Sequence, residues 1–205
     1  MYRGERFNSL SHLAGFTAAV AGGVVLVAVA WEQGDPWRIV SAAVYGLTLF
    51  ALYFFSVMYH SLKGRAKAIF RKLDHLSIYT LIAGTYTPFT LVTLRGAWGW
   101  SLFGTIWGLA LVGIVADLLP QKPARLLPLG IYLVMGWLCV VALKPLLASL
   151  AAAGFAALLA GGLFYTFGIV FYLFDERIRH FHGIWHLFVL AGSVCHYFTV
   201  LFYVM

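Results

Sequence analysis

Three histidines fall at the ends of long apolar segments of the chain. His60 closes the segment Ser56-Val-Met-Tyr-His60, and the other two lie four residues apart in His182-Gly-Ile-Trp-His186. Between them in sequence, Asp74 opens another apolar segment. An ionisable side chain at membrane depth costs free energy, about 2.5–3.5 kcal/mol for Asp at a helix centre, so such groups persist mainly where they have partners. These residues suggest a shared partner, and zinc is the best candidate.

The spacing of these residues suits a single metal ion. His182 and His186 are i and i+4 on a helix, so both rings project from one face. Ser56 and His60 have the same spacing, which aims the serine hydroxyl at the same pocket. Three neutral imidazoles leave one position of a tetrahedral zinc open, as in catalytic sites, and a water bound there has a pKa of about 7. Since HxxxH lacks a glutamate, we expect Asp74 to orient or deprotonate this water.

Each of these residues also has a simpler explanation when it is taken alone. An isolated histidine pair is more often a packing or hydrogen-bonding feature. We expect Ser56 to hydrogen-bond the water or to polarise a substrate carbonyl, but a serine taken alone is usually bonded back to its own helix. Asp74 alone fits a carboxylate stabilised by the dipole at a helix start. Their joint occurrence favours the metal site.

The composition places the chain among integral membrane proteins. It has 205 residues, of which 62% are hydrophobic and 10% are charged, whereas soluble domains carry about 25% charged residues. Period-two amphipathic strands are absent, so we expect an all-α protein. The net charge of +7 is spread over short loops, which indicates membrane orientation and not nucleic-acid binding.

Seven apolar runs predict a single seven-helix transmembrane domain over residues 1–205, each run being near the ~20 residues that a spanning helix needs. Pro120-Gln-Lys-Pro123 and Gln33-Gly-Asp-Pro36 are typical breaks between them. The predicted spans are 12–31, 38–61, 74–94, 98–119, 125–147, 149–174 and 181–204.

The distribution of Lys and Arg predicts the orientation. With seven spans, eleven of the 14 cations share the side of the N-terminus, which the positive-inside rule puts in the cytoplasm, with the C-terminus outside. His60, Asp74, His182 and His186 then lie at the same cytoplasmic depth. The eleven are Arg3, Arg6, Lys63, Arg65, Lys67, Arg71, Lys72, Lys122, Arg125, Arg177 and Arg179, and the other three are Arg38, Arg95 and Lys144.

The remaining histidines are expected to lie outside the site. His12 is predicted near the cytoplasmic interface, His75 at the interface and His180 in a loop. His196 is ten residues beyond His186, or ~15 Å along the helix axis, so we expect it to be buried and bonded to a neighbouring span.

Small residues and one proline predict how the spans pack. Gly15, Ala19 and Gly23 recur at every fourth position, and Gly104-Thr-Ile-Trp-Gly108 is a GxxxG motif. Both patterns predict close helix packing, within the bundle rather than in a dimer. Pro88 is expected to kink the third span.

At these motifs the chain resembles the hemolysin III branch of the progestin and adipoQ receptor family, which is related to adiponectin receptors and alkaline ceramidases. The matching elements are Ser56-x-x-x-His60, Lys72-Leu-Asp74-His running on to Thr85-Tyr-Thr-Pro88-Phe, and His182-Gly-Ile-Trp-His186 running on to Cys195-His196. They cover nearly the whole chain. The short N-terminus is similar to the bacterial type, which implies the bacterial inner membrane.

The resemblance implies a zinc ion held by His60, His182 and His186, with the family's aspartate at Asp74 and its serine at Ser56. It also implies zinc-dependent hydrolysis of lipid amides or esters, in the manner of a ceramidase, and a role in membrane lipid homeostasis. The expected partners are membrane lipids or a free fatty acid in an intramembrane cavity.

Three functions remain open at this point: a zinc-dependent lipid hydrolase, a zinc-stabilised lipid sensor or receptor without enzymatic activity, and the cytolysin that the family name suggests. An open ligand position favours the hydrolase. A pore calls for a polar stripe through several helices, and the outer halves of the predicted spans are too apolar for one. The sequence leaves the substrate, the occurrence of a reaction and the oligomeric state open.

Overall fold

The computed structural model describes residues 3–119 and 126–205, and in these ranges all regular structure is helical. A short 3₁₀ turn, Arg3–Glu5, leads into the first helix. The predicted break Pro120-Gln-Lys-Pro123 and the cations Lys122 and Arg125 lie outside the described residues. The helices are α1 (Arg6–Gln33), α2 (Pro36–Ser61), α3 (Gly64–Pro88), α4 (Ala97–Leu118), α5 (Leu126–Trp137), α6 (Leu143–Ser149), α7 (Ala152–Leu173) and α8 (Phe181–Tyr203).

Six helical segments of the described chain are long and apolar enough to cross a membrane: α1, α2, α4, the α5–α6 unit over Leu126–Ser149, α7 and α8. The protein is therefore an integral, multi-pass helical membrane protein. The predicted span 74–94 falls in α3 and the turn after it. Helix α3 is not among the six because it begins ten residues before Asp74 and its first half carries Arg65, Lys67, Arg71 and Lys72.

The connection between α1 and α2 forms as its sequence predicts. Gly34 closes α1 in the left-handed conformation, at φ 69°, and its N–H donates to the carbonyl of Trp31. Asp35 then caps α2 by accepting a 2.9 Å hydrogen bond from the backbone N–H of Trp37, and Pro36 occupies the first helical position. The two helices therefore pack as an antiparallel pair.

Two of the predicted spans change their helical geometry part-way. Immediately after Pro88, α3 passes into a π-helical segment, Phe89–Thr93, which agrees with the predicted disruption. The predicted span 125–147 is divided by a 3₁₀ segment, Leu138–Ala142, between α5 and α6. Tyr86 stabilises this division because its hydroxyl donates to a carbonyl of α5 and accepts from the N–H of Cys139, at 2.9 and 2.8 Å.

The two small-residue patterns differ in how closely a neighbouring helix approaches them. At Gly15 an added Cβ would lie 2.4 Å from the ring of Tyr53, and at Gly46 it would lie 3.3 Å from the Cα of Gly23, so α1 and α2 need glycine at these contacts. The GxxxG motif at Gly104 and Gly108 does not make the predicted close packing, since an added Cβ there meets nothing within 4 Å among the described residues.

Candidate metal centre

Three histidines from two helices meet at one end of the bundle. His60 occupies the last turn of α2, and His182 and His186 occupy the first two turns of α8. One ring nitrogen of each histidine lies within 4.8 Å of the others, and the Nε2 atoms of His60 and His182 are 3.3 Å apart. His60 and His186 are buried, at 1% and 0% exposed, and His182 is partly buried. The structure thus brings together the three residues that the sequence predicted as ligands.

Two carboxylates bind the outer nitrogens of this cluster. Glu5 Oε2 lies 2.7 Å from the Nδ1 of His60, and Asp175 Oδ2 lies 2.6 Å from the Nδ1 of His182. Because a carboxylate accepts, each Nδ1 carries a proton, and in the neutral imidazole each Nε2 then presents a lone pair. Two such lone pairs facing each other at 3.3 Å need a positive charge between them, either a shared proton or a metal ion. The donor set therefore fits a metal ion.

The third imidazole has the same orientation. The Nδ1 of His186 donates to the backbone carbonyl of Asn8, at 3.2 Å, and lies 3.3 Å from the hydroxyl of Ser11. Its Nε2 is buried and has no hydrogen-bond partner among residues 3–119 and 126–205. Buried polar atoms nearly always have a partner, so an orphaned nitrogen beside two others is the pattern of a ligand set.

Glu5 is held as an anion by its neighbours. Burial by itself raises the pKa of this carboxyl, but hydrogen bonds from His60, Lys67 and Asn8 outweigh burial and hold the pKa well below its usual range. The second oxygen, Oε1, lies 2.7 Å from the ammonium of Lys67, at the start of α3. The carboxylate thus joins three parts of the chain.

Asp74 and Ser56 lie beside the histidine cluster and connect to it through His12, which was not predicted as a site residue. Both side chains are buried, and the hydroxyl of Ser56 lies beside the carboxylate of Asp74. The same hydroxyl is 2.6 Å from the Nδ1 of His12, whose ring stacks on that of His186 with centroids 3.6 Å apart. His12 was expected near the cytoplasmic interface and outside the site, but α2 and α8 pack against α1 and leave its side chain 2% exposed, beside His186.

Two apolar cavities lead away from this end of the bundle. A cavity of about 140 Å³ is lined by His12 and Asp74 and continues along α3, α5, α7 and α8. A second cavity, of about 230 Å³, is lined mainly by apolar side chains. The two share Tyr86 and His196 in their walls. The site therefore adjoins a long hydrophobic space inside the bundle.

The other histidines lie apart from the cluster. His196 is buried, and its Nε2 is 3.0 Å from the carbonyl of Leu158 in α7, which confirms the predicted bond to a neighbouring helix. His180 is exposed before α8, in the left-handed conformation at φ 71°. His75 is partly buried on α3, and its carbonyl accepts from Tyr132.

The residues that contact the histidine cluster from outside were not predicted as site residues from the sequence. Glu5, Asn8 and His12 have i, i+3, i+7 spacing, which places them near one face at the start of α1, and this signal was available in the sequence. Asp175 had a weaker signal, since it stands only in a charged loop seven residues before His182.

Comparisons with known proteins give a consistent result. A family described as "Haemolysin-III related" matches residues 1–197. "Hemolysin-3" of Bacillus cereus is 43% identical over 202 residues, covering 98% of this chain and 92% of that protein. "Hemolysin-3 homolog" of Bacillus subtilis (strain 168) is 44% identical over 200 residues, covering 97% and 93%. "Monocyte to macrophage differentiation factor" of Homo sapiens is 28% identical over 202 residues, covering 94% and 81%.

Proposed function

The chain belongs to the haemolysin-III related family, and from that premise we propose that it is a zinc-dependent hydrolase of lipid amide or ester bonds. The observation that carries the proposal is the convergence of three imidazoles, with outward protons and inward lone pairs, beside a buried carboxylate and an apolar cavity. Such a site combines hydrolytic chemistry with access for a lipid, which is the pairing that membrane lipid homeostasis requires.

Zinc is the metal we propose for the cluster. Two nitrogens that are each ~2.0–2.1 Å from one tetrahedral zinc lie about 3.3 Å apart, and the Nε2 atoms of His60 and His182 are separated by 3.3 Å. Imidazole also suits copper, iron and nickel, but hydrolysis needs no redox change. Zinc, when bound, supplies a Lewis acid that polarises a carbonyl and activates water.

The remaining residues hold the substrate and its protons. Asp74 accepts a proton at its carboxylate, because it is buried at the edge of the cavity and faces the site through Ser56. Ser56 orients that carboxylate and is itself oriented by His12. The apolar cavities receive an acyl chain, so the proposed partners are membrane lipids or a free fatty acid.

We also propose that the chain spans the membrane seven times. Helix α3 supplies the span beyond the six that length and composition identify, with its charged first half near the inner surface. The N-terminus then lies in the cytoplasm and the C-terminus outside, in agreement with eleven of the 14 cations falling on the N-terminal side. The metal centre is at the cytoplasmic end in this orientation.

The test is untargeted lipidomics of membranes that contain the parent, the His60/His182/His186 triple alanine variant or Asp74→Asn. For a hydrolase, both variants accumulate the same acyl lipid, and the purified parent releases fatty acid from it. A sensor gives a different result, because Asp74→Asn then behaves as the parent while the triple variant does not. Lysis of lipid vesicles by the parent without release of fatty acid would support a cytolysin and refute the hydrolase.

A further inference from the structure

We propose that Glu5 and Asp175 are positioning residues of the metal centre, each fixing one ligand imidazole so that its Nε2 faces the ion. The inference rests on the proposed metal site and is independent of any reaction there. It starts from the matched geometry of the two carboxylates, which lie 2.7 Å from the Nδ1 of His60 and 2.6 Å from the Nδ1 of His182. In metal sites the outer ring N–H of a histidine ligand is usually bound in this way.

Both imidazoles need such a constraint because they lie at helix ends. His60 is the penultimate residue of α2, and His182 is the second residue of α8. The Nδ1 of His186 is held by a backbone carbonyl, whereas the Nδ1 atoms of His60 and His182 are held by side-chain carboxylates. The carboxylates therefore supply for these two rings the constraint that the backbone supplies for His186.

Charge balance gives a second, independent reason. Three neutral imidazoles leave the full charge of a dication in a site at membrane depth, where an uncompensated charge is costly. Glu5 and Asp175 supply two negative charges one imidazole away from the ion. Lys67 moderates the first of these through the other carboxylate oxygen of Glu5, at 2.7 Å.

Glu5 and Asp175 are expected to contribute unequally to metal affinity. The side chain of Asp175 is 6% exposed and that of Glu5 is 18% exposed. The charge of Asp175 is therefore less screened by solvent than that of Glu5. Neutralising Asp175 is expected to weaken metal binding more than neutralising Glu5.

The two carboxylates also link two connecting segments of the chain to the metal centre. Glu5 belongs to the turn before α1, and Asp175 belongs to the loop between α7 and α8. When both carboxylates hold ligand imidazoles, binding of the ion ties these two connecting segments to the ends of α2 and α8. The metal centre therefore spans four parts of the chain, although its ligands come from two helices.

The experiment measures metal affinity of the full-length protein in detergent, with zinc competed by a chelator and with cobalt as a spectroscopic probe. The variants are Glu5→Gln and Asp175→Asn, and Glu32→Gln is the control because it makes the same change at the exposed far end of α1. We expect zinc affinity to fall about 10–100-fold in the first two and to remain that of the parent in the control. The cobalt absorption bands should shift in both, and Glu5→Asp should recover part of the loss.

Three outcomes would overturn the inference. If the variants bind zinc as the parent does, the carboxylates do not position the ligands. If the metal-free variants lose as much thermal stability as the metal-bound ones, the contacts are only structural. If the parent itself binds no zinc, the metal site and this role fail together. A parent that binds zinc but cleaves no lipid refutes the proposed hydrolase and leaves this inference standing.

Discussion

Replacing His186 with alanine separates the metal-dependent stability of the protein from its ordinary packing. The side chain is fully buried, donates to the carbonyl of Asn8 and stacks on His12. Its removal loses this hydrogen bond, which costs about 0.5–1.5 kcal/mol in the metal-free protein, because the carbonyl keeps the Ser11 hydroxyl as a donor at 3.0 Å. It also removes one of three ligands. At free zinc about 100 times the dissociation constant, the parent gains about 2.7 kcal/mol from binding, and the variant loses nearly all of this.

The matched control is His196→Ala, ten residues further along α8. His196 is also buried and also bonded to one backbone carbonyl, that of Leu158, but lies outside the cluster. Thermal unfolding in detergent, with and without zinc, should give both variants a similar metal-free loss. Zinc should raise the melting temperature of the parent and of His196→Ala by roughly 5–10 °C, at about 2–4 °C per kcal/mol for a chain of this size. An equal zinc-dependent rise in His186→Ala would refute the assignment of this residue as a ligand.

Four further changes test the packing of the helices and the cavity. Gly183→Ala should destabilise the protein by about 1–3 kcal/mol, because its Cβ would lie 2.2 Å from the ring of Phe7. The added Cβ of Gly104→Ala meets nothing within 4 Å in the part of the chain that the structure describes, so this variant should stabilise α4 by up to about 1 kcal/mol. The unfolding midpoints of the two variants in denaturant should therefore shift in opposite directions. Tyr86→Phe should cost about 1–3 kcal/mol in the same assay, since it removes two hydrogen bonds worth about 0.5–1.5 kcal/mol each. Leu146→Trp fills part of the 230 Å³ cavity and should shift acyl-chain preference toward shorter chains, and an unchanged length profile in a binding series would contradict the proposed path.

Local features were enough to predict the class of the protein and its central residues. Hydropathy identifies apolar helices because each spanning segment must be apolar along its own length. The i, i+4 spacing of His182 and His186 guarantees a shared face in any helix, whatever the helix packs against. The start of α3 was harder to predict, because a charged first half of the helix precedes the apolar run.

The tertiary structure alone decided how the ligand imidazoles are held. Glu5 is 55 residues from His60 in the chain, and Asn8 is 178 residues from His186, so no local pattern links them. They meet because α1 packs against both α2 and α8. The same packing buries His12 against His186 and connects Ser56 and Asp74 to the cluster. Sequence spacing determines which side chains share a helix face, whereas the protonated nitrogen of each ring is determined by the partner that another part of the chain brings to it.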